Sequence, residues 1–140
     1  MKNKIFMIAL MLVCAAFANA QTGSNPEKSL EPKIVYTDLY TGGVSFKTLD
    51  EKQVSVWVHN AGNRDAGDSV LKFALTKGDK TITKTVSVGV VKAKSSVLVP
   101  VWLGENLYLS KFCVKADSTN LVLETNEKNN GWCGEFVGKP

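Results

Sequence analysis

Histidine occurs once, at His59, and no cluster of metal-ligating residue types accompanies it. Zinc sites and histidine-based acid–base catalysis therefore lack their usual parts. Ser45, Ser69 and Ser87 have no general base near them in the sequence, which removes the common nucleophilic constellations. Charge is also sparse. Lys and Arg number 17 against 13 Asp and Glu, a formal net charge of +4. Two of those lysines, Lys2 and Lys4, fall in the first twenty residues, where there is no acid. The remainder carries scattered basic residues rather than the clustered basic face that nucleic acid selects, so no nucleic-acid partner is expected. Charged residues are 21% of the chain, with 11 Gly and 4 Pro in 140 residues. These values exclude a disordered acidic tail, a collagen-like rod and a coiled coil. No Asn-x-Ser/Thr sequon, internal repeat or low-complexity tract occurs.

Residues 1–20 carry the one long apolar run. Lys2 and Lys4 form a positive start, Ile5 to Phe17 an apolar middle, and Ala18-Asn19-Ala20 a small-x-small cleavage site. This reads as a secretory signal peptide leaving Gln21 at the mature N-terminus. Two alternatives stand beside it. A membrane anchor would need about 20 apolar residues, and this run is shorter and ends in polar Asn19, Gln21 and Thr22. Lipidation at Cys14 would need a small residue where bulky Val13 stands. The expected product is secreted or periplasmic, with no stable membrane insertion once the leader is cleaved.

Export changes how the cysteines are read. With Cys14 removed, Cys113 and Cys133 remain, and an oxidising compartment admits one intramolecular pairing between them. Two free buried thiols or an intermolecular pair are the alternatives. Closing a loop of this size is worth roughly 3 kcal/mol in the chain-entropy model, a large share of the about 5–15 kcal/mol that holds a domain together.

Residues 21–32 are polar, hold Pro26 and Pro32 and read as a flexible arm. From residue 33 the pattern has period two. The alternation predicts a strand over 34–39, a turn at Gly42-Gly43, and a short strand at Val44 and Phe46. The clearest strand is 53–60, with Val54, Val56 and Val58 on one face and Ser55, Trp57 and His59 on the other. A loop dense in turn residues covers 60–68. Strands follow over 70–75 and 82–91, joined by a hairpin turn at Lys77-Gly78-Asp79-Lys80. Further strands are expected over 96–103, where Pro100 marks an edge or bulge, and over 108–116, 121–123 and 132–137. Seven or eight short strands without a helical period make an all-β, immunoglobulin-like antiparallel sandwich over residues 33–140.

The stretch from Asp117 to Trp132 is the most informative. It holds Asp117, the apolar pair Leu121-Val122, and then Glu124, Asn126, Glu127, Asn129 and Asn130 in a Glu-x-Asn-Glu-x-Asn-Asn run. It resembles the last hairpin of the CARDB domain (cell adhesion related domain found in bacteria). The alternating strand Val54 to Val58 followed by Asn60-Ala61-Gly62 and Ala66-Gly67 is similar to that family's earlier signature, and Val86 to Val101 to its middle strands. The resemblance covers roughly 34–137 and implies a non-catalytic interaction or adhesion module with no cofactor. Such domains usually occur inside larger surface proteins, so a single copy is expected to be a small exported binding protein. Cys113 and Cys133, which the family does not generally carry, bracket the motif as a staple between the last two strands would.

The motif has a physical reading of its own. Asn and Asp side chains bond nearby backbone and tolerate left-handed conformations, so Asn129-Asn130-Gly131 suits a tight turn. The bland reading is a hydrogen-bonded hairpin tip. The sharper one is a Ca²⁺ site built from Asp117, Glu124, Asn126 and Glu127, which offer the hard oxygens that ion takes. The polar loop with Asn60, Asn63, Asp65 and Asp68 has the same two readings. His59 is expected on a solvent face. Trp57 is either core filler or, with His59, Asn63 and Asp65, part of a binding patch; Trp102 and Trp132 are expected as core or inter-sheet filler. Lysines 72, 77, 80, 84, 92 and 94 read as solvated, edge-protecting positions, with a salt-sensitive anionic-polymer contact as the alternative. The expected function is recognition of an extracellular or periplasmic protein or glycan. Inhibition of an extracellular hydrolase and a structural role in a surface assembly are the alternatives, and nothing in the residues sets an oligomeric state.

Overall fold

Residues 34–138 are described by the computed structural model. The expected leader at 1–20 and arm at 21–32 lie outside the described residues. Seven strands form: β1 (Leu39–Ser45), β2 (Gln53–Asn60), β3 (Ser69–Lys77), β4 (Lys80–Val88), β5 (Ser95–Trp102), β6 (Ser110–Lys115) and β7 (Gly131–Phe136). They make two antiparallel sheets, one ordered β1-β2-β5 and the other β4-β3-β6-β7. This is the immunoglobulin-like sandwich that the alternation predicts.

The period-two pattern explains which face each strand buries. Val54, Val56 and Val58 of β2 turn inward beside Val99 and Val101 of β5, their direct or neighbouring partners in the ladder. Leu71, Phe73 and Leu75 of β3 and Phe112 and Val114 of β6 face them from the other sheet. Phe112 is the hub of the aromatic packing, with its ring centroid 5.6 Å from Phe73 and 4.7 Å from Phe136. Burying such side chains contributes about 1.5–3 kcal/mol each.

Turns and edges follow local chemistry. Gly78 adopts φ +56°, the left-handed conformation that a two-residue hairpin needs, and joins β3 to β4 with Lys77 paired to Lys80. β4 is an edge strand, and its Lys84 sits opposite core-facing Phe73. An inward-leaning lysine at an edge discourages pairing with a second molecule. Pro100 lies on β5, the edge of the other sheet.

Three local expectations are corrected. The first strand starts at Leu39, not Ile34; residues 34–38 contribute one bridge, Thr37 to Glu124. Gly42-Gly43 is no turn. β1 runs through it, with a register shift between Thr41 and Val44. Glycine permits both the bulge and a close approach: a Cβ on Gly42 would stand 2.2 Å from His59 Nε2. Finally, 121–123 forms no strand but an irregular segment whose Val122 plugs the core while Leu121 and Leu123 stay exposed.

Candidate functional site

Two places collect the residues singled out by the sequence. The first is the polar corner where 117–130 meets the start of β1. Asp117 is fully buried, with φ +40°. Its two carboxylate oxygens accept the backbone N–H groups of Leu121 and Val122, each at 2.9 Å. That bond pair seats Val122 in the core, which gives the Asp and apolar-pair spacing a structural meaning. Asn126 accepts the N–H of Lys128 at 3.1 Å and turns an exposed tip. Glu124 reaches across 85 residues to accept the Leu39 N–H at 2.8 Å. Asn129 donates to Asp38 at 2.8 Å. Asn130, 1% exposed, donates to Glu124 and to Glu127, both at 3.3 Å. Its backbone carbonyl accepts the Ala116 N–H at 2.7 Å. Gly131 follows because a Cβ there would meet the Val114 carbonyl at 2.4 Å.

The electrostatics of this corner are one-sided. Burial pushes the Glu124 carboxyl up to about 7; the Leu39 N–H opposes this, and the negative charges of Glu127, Asp117 and Asp38 reinforce it. Among the described residues no basic side chain forms an ion pair with any of the four, the single pair being Lys80–Glu105. No three His, Cys, Asp or Glu side chains among the described residues converge into a metal cage by themselves. Of the four residues first considered for Ca²⁺, Asp117 has both carboxylate oxygens committed to backbone and Asn126 has its side-chain oxygen committed to its own turn.

The second place is the outer face of the β1-β2-β5 sheet. Trp57 is not core: its indole is 39% exposed, on the face opposite the valines. His59 stacks on Tyr40 with ring centroids 4.8 Å apart, and Trp57 lies 6.3 Å from His59. Across the ladder Trp57 faces Leu98, Ser55 faces Pro100, and Gln53 faces Trp102. Trp102, expected as filler, is 61% exposed. Trp132 does sit between the sheets: its indole N–H donates to the Gly42 carbonyl at 2.9 Å, and its ring packs edge-on to Phe112. Beside Leu98 and Trp102 runs a groove of about 480 Å³ that Ser45, Phe46, Lys52 and Gln53 also line.

Asn63 and Asp65 do not join this face. Asn63 accepts the Tyr36 N–H at 2.9 Å and donates to the Ile34 carbonyl at 2.7 Å, while Asp65 accepts the Ala93 N–H at 2.8 Å. Both secure loops. The His59 ring Nδ1 contacts Ser96 Oγ. No carboxylate orients the other ring nitrogen among the described residues, so the pair lacks the third member of a triad. Tyr40, Leu98 and Trp102 were missed as face residues. The alternation of 98, 100 and 102 carried the signal for two of them. The outer face of the other sheet carries Cys113 and Cys133, directly paired in the β6-β7 ladder and bonded to each other.

The two sheets, their seven strands and the buried Asp–Asn corner define a class of immunoglobulin-like β-sandwich domains. A family model, CARDB, matches residues 37–132, and the chain belongs to that family of non-enzymatic domains. Two solved structures are similar to it. One is the CARDB domain of a Pyrococcus furiosus protein in complex with di-metal ions, 18% identical, with a TM-score of 0.53, covering 76% of this chain and 98% of that one. The other is a domain of a Methanosarcina acetivorans protein assigned to the cell surface, 19% identical, with a TM-score of 0.58, covering 71% and 89%. No curated protein matches the chain. No helix among the described residues is long and apolar enough to cross a membrane.

Proposed function

We propose that the protein is an exported, non-catalytic binding module that docks a protein or glycan on the outer face of its three-stranded sheet. The observation that carries this reading is the contiguous exposed row of Trp57, Leu98, Pro100 and Trp102, extended by stacked His59 and Tyr40. Soluble domains rarely leave such a row uncovered without a use for it. Aromatic side chains supply large contact area at little entropic cost, and polar Ser55, Gln53 and Lys52 form the rim that recognition surfaces carry. The face sits on regular strands, so its geometry is set before the partner arrives. Export rests on the leader-like residues 1–20, and the family's association with surface proteins supports it.

The test is capture. The protein is screened against a glycan array and used as bait in extracts of envelope and culture medium. Replacing Trp57 and Trp102 together by Ala is expected to weaken the captured interaction at least about tenfold, as loss of aromatic anchors does. Undiminished capture by the double variant overturns the reading. A panel of extracellular hydrolases run alongside tests the inhibitor alternative.

A further inference from the structure

We infer that the outer face of the four-stranded sheet binds an acidic polysaccharide, through Lys72, Lys111 and Lys115 and the threonine hydroxyls beside them. The inference goes beyond the docking face, which lies on the other sheet and shares no side chain with this one. Strand alternation builds the surface. Leu71, Phe73 and Leu75 of β3 and Phe112 and Val114 of β6 are buried, so the residues between them point away from the core. The ladders set these outward residues in rows. Thr85, Lys72 and Lys115 are successive cross-strand partners in one row, and Thr81, Thr76 and Lys111 in another. Four residues separate the rows along each strand, on the order of 13 Å.

The positive charge on this face is uncompensated. Lys72 and Lys115 stand directly opposite each other, and like charges so placed cost a sheet stability. Lys72 and Lys111 are exposed and Lys115 half-buried. Among the described residues none of the three forms an ion pair, the single pair being Lys80–Glu105. Glu135, opposite Lys111 in the ladder, is the one acid in these two rows. Of the lysines grouped in the sequence, Lys77 and Lys80 turn instead to Asn106 and Glu105. The fold thus gathers Lys72 with two lysines of β6 that the sequence keeps apart from it.

The chemistry of the rows selects the polymer. They carry no aromatic side chain, so single-stranded bases find nothing to stack on. Three cations fall short of the roughly six to ten phosphate contacts of a duplex binder. They also fall short of the cluster of about four to eight with which a protein holds an anionic membrane. An acidic polysaccharide asks for less. Its carboxylates recur along the chain and can meet ammonium groups on separate rows. Its hydroxyls can bond to Thr81, Thr83 and Thr85, exposed on β4, whose own hydroxyls both donate and accept. Between the rows the Cys113–Cys133 bond ties β7 to β6, so the surface is set before the polymer arrives.

The test is binding of the protein to immobilised polygalacturonate, with neutral dextran, a DNA duplex and phosphatidylserine vesicles alongside. Polygalacturonate should retain it and dextran should not. Raising NaCl from about 50 to 200 mM should weaken retention roughly five- to twentyfold, as counterion release at two or three contacts does. K72Q/K115Q should bind at least about tenfold more weakly yet melt no lower than the parent, since it removes a like-charge pair. R64Q/K92Q takes the same charge from two exposed loop positions away from the face and should bind within about twofold of the parent. An equal loss in that variant would reduce the effect to net charge and overturn the inference. So would no retention at the lower salt, or tighter binding to the duplex or the vesicles than to polygalacturonate. A loss in W57A/W102A in place of K72Q/K115Q would also overturn it, by moving the contact to the docking face.

Discussion

Asn60 shows how much one side chain can hold. It is 1% exposed at the end of β2. Its Oδ1 accepts the N–H groups of Gly62 at 2.9 Å and Asp38 at 3.3 Å, while its Nδ2 donates to the carbonyls of Arg64 at 2.8 Å and Val91 at 3.0 Å. One residue thus ties the 60–68 loop to β1 and to the approach to β5. Gly62 completes the device, since a Cβ there would fall 2.4 Å from the Tyr36 carbonyl. Asn60→Ala strips partners from several buried groups at once, each worth about 1–3 kcal/mol when left unpaired. The expected loss is about 3 kcal/mol, read as a lowered urea midpoint with an unchanged slope. Gly62→Ala should lose a comparable amount by collision rather than by missing bonds. The Asn-x-Gly spacing was legible in the sequence; its meaning was not, because its partners lie up to 31 residues away. The same applies to Glu124, whose backbone partner Leu39 stands 85 residues off. Alternation reports which face a side chain takes, never which distant amide it will meet.

At the scale of elements, the β6-β7 hairpin is the unusual one. β7 is an edge strand whose inner face includes Gly134, where a Cβ would meet the Phe112 ring at 2.8 Å, and whose outer face is exposed. It buries little beyond Phe136 and part of Trp132. A strand with so small an apolar contribution is poorly held by packing alone, and the Cys113–Cys133 bond closes a loop of 20 residues around the whole 117–130 segment. Replacing both cysteines by Ala should cost roughly 3 kcal/mol, seen as a lower denaturation midpoint, with the earliest loss of amide protection in β7 and in the loop it closes. Equal protection across β3 and β7 in the Cys-free protein would contradict this. The boundaries of β2, β3 and β5 were legible to within two residues because their alternation is strict and their flanks are turn residues, whereas β4, expected over 82–91, runs Lys80–Val88 and leaves Val91 with a single bridge to Ala66. β1 was not legible. Its Gly-Gly pair is the common mark of a turn, and only the proximity of His59 shows why a strand needs it here.

For the molecule as a whole, the decisive asymmetry lies between the two sides of the β1-β2-β5 sheet. Val56 and Trp57 are neighbours on β2, yet one is fully buried against the opposite sheet and the other stands on the open face. Both sides of β2 carry apolar side chains, so the sequence leaves open whether Trp57 belongs to the core. The sheet order decides it, because the four-stranded sheet packs on the valine side and no described element covers the other. Stability and recognition are thereby assigned to opposite sides of a single strand. Val56→Ala should remove buried methyl groups and leave a small cavity, costing about 2 kcal/mol of folding free energy while sparing the captured partner. Trp57→Ala should behave in the opposite way, moving the denaturation midpoint little because its indole is already wetted, and weakening capture severalfold. Measuring both quantities on both variants separates the sides. If Trp57→Ala unfolds the domain as far as Val56→Ala does, the exposed row is part of the fold's support and the docking face must be sought elsewhere.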